Sequence, residues 1–153
     1  MTRGEIFVEL DRILDQTKTA VLGTTDVKGR PHMRWMTPIF LRERSGAVFA
    51  VTSREFTKTG ELEKDNRCQW LFQTRALDTI ISLNGIINLV DNSALKAEVL
   101  EAIGQRLTVF WRINADPANL IVLETIIEEA SFFRPMKGLR EFVSFGKGGG
   151  NGR

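Results

Sequence analysis

Apolar residues near the start of the chain recur at helical spacing. Ile6, Phe7, Leu10, Ile13 and Leu14 form one stripe, and Glu9, Asp11, Arg12 and Asp15 fill the opposite face. Thr2 is placed to cap that helix. The pattern then changes to β-formers. Thr19 to Thr25 reads as a strand, Asp26-Val27-Lys28-Gly29 as a turn, and Arg30-Pro31 opens a second strand reaching about Leu41. A charged turn from Arg42 to Gly46 leads into a third strand, Ala47 to Thr52. Lys58 to Asn66 has helical composition. Cys68 to Thr74 and Thr79 to Asp91 read as strands, and Gly85 inside the second predicts a bulge or bend. Ser93 is expected to cap a helix running to about Ile103. Leu107 to Trp111 is ambiguous, Asp116-Pro117 starts a turn, and Leu120 to Phe133 is strand-rich. The predicted order is helix, three antiparallel strands, short helix, two strands, helix, and one or two further strands. Closely spaced strands with interposed helices predict a mostly β fold with accessory helices, an antiparallel small barrel and not a parallel sheet.

Composition narrows this little. The chain has 153 residues, 42% hydrophobic and 26% charged, an ordinary balance for one domain able to bury a core without staples. That domain is expected over residues 1–145. The end, 146–153, carries five glycines in eight residues and is expected to be a disordered tail. The formal charge of +2 is too balanced to argue for nucleic acid. One cysteine, Cys68, and one histidine, His32, cannot build an internal disulfide or a Cys/His zinc site, so no metal is expected. Glu5 and Glu9 argue against a signal peptide, and no apolar run is long enough to span a bilayer. A cytoplasmic location is the resulting expectation, with no membrane partner.

The candidate chemistry lies in three segments: Gly29 to Thr37, Phe49 to Ser53, and Thr57-Lys58. A phosphate dianion needs cations, hydroxyl donors and free backbone N–H groups. Thr52 and Ser53 at a strand end, then Thr57 and Lys58 at a helix start, offer these, and a helix N-terminus adds its positive dipole end. Arg34 falls mid-strand, where an unpaired guanidinium is costly if buried. Two antiparallel neighbouring strands would bring Arg34 alongside Thr52. Taken singly, each piece also reads as turn chemistry or a solvated charge. His32 beside a hairpin turn reads as a turn residue, Cys68 as a small core residue, and no nucleophile–base pair is visible, so catalytic residues stay unassigned.

Together these residues resemble the pyridoxamine 5'-phosphate oxidase-like FMN-binding split barrels, especially the small bacterial general stress protein 26 type. The resemblance rests on Leu22-Gly23-Thr24-Thr25 with Gly29 to Arg34, then Thr52-Ser53 and Lys58, then Glu61 to Asn66 before the Cys68 strand. It covers about Ile6 to Asp91 and is weak from Ser93 onward. It implies a split β-barrel of antiparallel Greek-key type. It implies FMN held through its phosphate by Arg34, Thr52, Ser53, Thr57 and Lys58, with the isoalloxazine ring near Trp35, Met36 and Thr37. It implies a homodimer whose partner lines the flavin slot; Trp70, Phe72 and Trp111 are candidates, with core or dimer packing the favoured reading for each. Haem or a deazaflavin, used by related split barrels, are lesser alternatives. True pyridoxamine phosphate oxidases close with a C-terminal Arg and His segment. This chain ends in Glu141 to Phe145 and glycines, and Arg134, Lys137 and Arg140 are its only late bases before that end. Vitamin B6 oxidation is therefore not expected.

Three functions remain open at this point. One is a flavin-dependent oxidoreductase on an unknown small substrate, with the flavin supplying the chemistry. The second is a flavin-binding stress or sensor protein with no dedicated substrate. The third is a small-barrel nucleic-acid binder, weakly suggested by Arg34-Trp35 and Trp111-Arg112 and opposed by the net charge.

Overall fold

The computed structural model describes residues 1–54, 60–104 and 117–146. Helix α1 (Arg3–Thr17) is followed by strands β1 (Ala20–Thr25), β2 (Pro31–Met36) and β3 (Ala47–Ser53). A single-turn helix α2 (Glu61–Lys64) precedes β4 (Arg67–Gln73) and β5 (Ile80–Val90). Helix α3 (Ser93–Ile103), β6 (Leu120–Arg134) and β7 (Leu139–Ser144) follow, with short 3-10 turns at Pro117–Asn119 and Pro135–Lys137. Thr2 caps α1 in a capping box: its side chain accepts from the Glu5 amide, and Glu5 accepts from the Thr2 amide. The cap of α3 is Asn92 and not Ser93; its side chain accepts from the Leu95 amide, leaving Ser93 as the first helical residue.

Every strand pairing is antiparallel, and the sheet runs β2-β1-β4-β5-β6-β3. Strand β7 pairs with β6 along the same edge that β3 uses, further toward the C-terminal end of β6. The sheet curls without closing, as a split barrel does. Two sequence expectations are corrected here. Strand β2 stops at Met36 because Pro38 lacks an N–H to continue the ladder. It also does not pair with β3 as a hairpin. A single bridge, Ile39 with Phe49, is the contact between that chain segment and β3. The last strand, Leu139–Ser144, was hidden by its short alternating run after a turn at Gly138, where φ is 60°.

The bulge expected at Gly85 is present as a register shift between Asn84 and Gly85. A side chain at Gly85 would collide with the Ile126 carbonyl oxygen across the ladder. The core lies between α1 and the curled sheet. Ile6, Leu10 and Ile13 are fully buried against Leu22, Trp70, Phe72 and Leu83. A smaller cluster joins Leu95, Val99 and Ile103 of α3 to Phe49 and Val51 of β3. Trp70 buries its ring and donates its indole N–H to Thr125 Oγ1 at 3.0 Å, which satisfies both polar groups in the interior. Among the described residues no helix is long and apolar enough to cross a membrane.

Of the glycine-rich end, only Gly146 is among the described residues, so the expected tail lies beyond them.

Candidate functional site

The register sorts each candidate residue by face. Arg34 stands opposite Leu22, and that row continues inward through Trp70, Leu83, Ala130 and Val143. Arg34 is the charged member at the outer end of an otherwise apolar interior row. Its Nη2 donates to Thr24 Oγ1 at 2.9 Å, and Thr24 is itself buried. Burial lowers the guanidinium's proton affinity, and the nearby charge of Glu61, the first residue of α2, pushes it back up. The guanidinium is thus half-buried, oriented by a hydroxyl, and electrostatically coupled to the next helix. Neither Thr24 nor Glu61 has a role that the sequence alone makes visible. Thr24 was legible only through the strand register, and Glu61 only through the docking of α2 beside β1.

Trp35 and Met36 point to opposite faces, as successive strand residues must. Met36 faces the core and is buried, whereas Trp35 is 70% exposed on the outer face. One flat ring cannot rest on both side chains from the same side. Thr37, half-buried, follows at the end of β2 just before Pro38.

Thr52 and Ser53 close β3 and are half-buried, paired in register with Ile121 and Leu120 of β6. The Ile39–Phe49 bridge carries the chain beyond β2 to the side of β3. Continued, that register would set Met36 across from Thr52. Met36 and Thr52 thus each lie three residues from that bridge, although no ladder joins β2 and β3 among the described residues. Thr57 and Lys58 lie outside the described residues, as does Trp111.

Trp70 and Phe72 are fully buried in the core, which removes them as walls of an exposed slot. His32 Nε2 hydrogen-bonds Asp26 Oδ2 at 2.9 Å, and Asp26 Oδ1 accepts from the Lys28 and Arg30 amides. The Arg30 amide foremost, then His32 and the Lys28 amide, hold the Asp26 carboxyl below the usual range. His32 thus completes the hairpin turn. The Cys68 thiol is pushed up to about 12 by burial and contacts Thr125, so it is no nucleophile near neutral pH. Arg134 and Arg140 lie over Phe132 and Phe133 at 5.5 and 4.0 Å. Among the described residues no group of three or more His, Cys, Asp or Glu side chains gathers to hold a metal.

The outer face carries a second row: Trp35, Val21, Leu71, Ser82, Ser131 and Phe142. Ser82 and Ser131 share a hydrogen bond of 3.0 Å at its centre. Exposed aromatics mark both ends, Phe142 being 64% exposed. Beside this row, Met33, Gly23, Gln69 and Asn84 line a cavity of about 390 Å³.

Solved structures share this fold. A Clostridium acetobutylicum protein related to general stress protein 26 superimposes with a TM-score of 0.73 at 14% identity, over 95% of this chain and 97% of that one. General stress protein 26 from Bacillus anthracis gives 0.70 at 19% identity, over 92% of this chain and 99% of that one. A heme binding protein from Mycobacterium smegmatis gives 0.68 at 16% identity, over 89% of this chain and 56% of that one. No curated protein matches the sequence. The family model described as pyridoxamine 5'-phosphate oxidase matches residues 7–134, from the middle of α1 to the end of β6, and with the split sheet this places the chain in the pyridoxamine 5'-phosphate oxidase family.

Proposed function

We propose that this protein binds FMN through its phosphate and works as a dimeric flavin-dependent oxidoreductase on a small substrate. The observation that carries the reading is Arg34: a guanidinium half-buried at the rim of the barrel interior and oriented by Thr24. Such a group suits a dianionic partner, because charge-assisted hydrogen bonds strengthen as water is excluded. The residues fit the phosphate of FMN. Arg34 would hold it from β2 and the Thr52 and Ser53 hydroxyls from β3, with Thr57 and Lys58 supplying the remaining donors expected from the sequence. The ring would run from there toward the end of β2, against the Met36–Thr37 backbone. Bound there, the flavin would supply hydride or electron transfer. The protein's part is to bind the phosphate, orient the ring and exclude water.

Haem is the weaker cofactor reading, despite the heme binding protein among the similar structures. The sequence has one histidine, and His32 is committed to Asp26 in an exposed turn. The outer row ending in Trp35 and Phe142 supports a second copy as the partner, since exposed aromatics around a small polar centre suit an interface core.

The test is the visible spectrum of the purified protein, followed by titration of flavin-free protein with FMN and with riboflavin. Flavin bands and a large preference for FMN are expected. Equal affinities would remove the phosphate assignment. Stopped-flow reduction by NADH or NADPH then separates an enzyme from a flavin-binding protein without a substrate.

A further inference from the structure

A second cleft lies away from Arg34, between α1 and the loop that joins the Ile39 bridge to β3. Its volume is about 360 Å³, within the usual range for small-molecule sites. The helix wall is Phe7 and Asp11, one turn apart on the same face of α1. The loop wall is Arg42, Arg44 and Ser45. Between them Phe40 supplies an aromatic floor, edge-to-face with Phe7 at 5.4 Å between ring centres. The loop is pinned rather than loose. The Arg44 amide donates to the Leu41 carbonyl at 3.0 Å, the Ile127 amide donates to the Gly46 carbonyl at 3.0 Å, and the Ile39–Phe49 bridge closes its base.

Neither the Arg42 nor the Arg44 guanidinium makes an ion pair or side-chain hydrogen bond among the described residues. Two unpaired cations held on a short pinned loop above an aromatic floor are a recognition element for an anion with a flat apolar body. We propose that this cleft binds a small aromatic or otherwise planar anion, a carboxylate or phosphate ester, with the acid group on Arg42 and Arg44 and the apolar body against Phe7 and Phe40. The facing Asp11 carboxyl is raised by burial first and by Asp15 second, which eases its neutralisation when an anion enters. The site shares none of its lining residues with the proposed phosphate site, so it stands whether or not flavin binds.

Phenyl phosphate is the probe, titrated calorimetrically into the purified full chain near neutral pH, with inorganic phosphate and benzyl alcohol as controls. Saturable binding at one per chain is expected, at least about ten-fold tighter than either control, which is about 1.4 kcal/mol. Arg42→Ala/Arg44→Ala should weaken it about ten-fold or more, with an unchanged melting temperature because both side chains are exposed. Arg34→Ala should leave it unchanged. No saturation at millimolar probe, or equal binding by the double variant, overturns the proposal. If Arg34→Ala abolishes binding and the double variant does not, the probe is reading the flavin-phosphate site. This proposal then fails while the flavin reading gains.

Discussion

Arg34 Nη2 donates to the hydroxyl of Thr24 across the β1–β2 ladder, at 2.9 Å, from the outer end of an apolar row. That bond aims the guanidinium, so the two residues should separate by role. Arg34→Ala is expected to weaken FMN binding by about ten-fold or more, or about 1.4 kcal/mol, with an unchanged circular dichroism spectrum. Thr24→Val keeps the cation and loses its orientation, so a smaller loss is expected. Fluorescence titration of each flavin-free variant decides this; wild-type affinity in Arg34→Ala would show the phosphate site to be misplaced.

Glu61 acts on the same cation. Its charge favours protonated Arg34, and it opposes an incoming dianion for the same reason. Glu61→Gln is therefore expected to tighten FMN binding several-fold, most clearly at low salt, where screening is weakest. Weaker binding in this variant would mean that Glu61 orients Arg34 instead of competing with the phosphate.

The outer row predicts where two copies meet. Trp35→Asp would bury a carboxylate at the edge of that interface, and Phe142→Asp would do so at the other edge. Each should shift sedimentation toward monomer at micromolar concentration, whereas Met136→Asp, still more exposed but on the β6–β7 turn, should not. If flavin affinity falls together with the dimer, the partner contributes to the slot.

Cys68 gives the protein an alkaline weakness. Burial pushes its folded-state value up to about 12 from the usual 9.0 of a free thiol, so the folded chain retains a proton that the unfolded chain releases. The associated stability is fully present below about pH 9 and is lost as pH rises toward 12. Melting temperatures of wild type and Cys68→Ala should converge across that interval. The thiol should also resist alkylation at pH 8 unless the protein is first unfolded.

Gly85 is a packing requirement. Gly85→Ala places a methyl group against the Ile126 carbonyl and the Thr125 side chain, so the bulge must shift. A loss of about 1–3 kcal/mol in urea unfolding is expected, the usual cost of overpacking. An unchanged midpoint would show that the bulge can slide.

The legible parts of this fold were the ones with strong local signals. The α1 stripe, the Asp26–Gly29 turn, the Gly85 bulge and the strand series are each written in a few consecutive residues. What the sequence hid was long-range. Arg34 was readable as a candidate, but its hydrogen bond to Thr24 of β1 was not, and β2 and β3 are not neighbours in the sheet, since Pro38 follows the end of β2. Core packing, the favoured reading for Trp70, holds, but the partner that makes it possible was hidden: Thr125, 55 positions away, satisfies the indole N–H. The shared edge of β6 depends on a partner strand late in the chain, which no local period announces.

That shared edge sets how the protein can be damaged. Strand β6 offers one side to β3 along its first half and to β7 along its second. A cut in the Pro135–Gly138 turn would leave β3 seated and the core mostly covered. Loss of β7 after such a cut would uncover the β7-facing N–H and C=O groups of Glu129–Arg134, a stretch that includes Phe132 and Phe133. An exposed half-edge of that kind templates pairing with any extended chain, including another clipped copy. The β6–β7 hairpin is thus a guard against sticking, and its turn is the point where proteolysis would convert the folded sheet into a seed for aggregates.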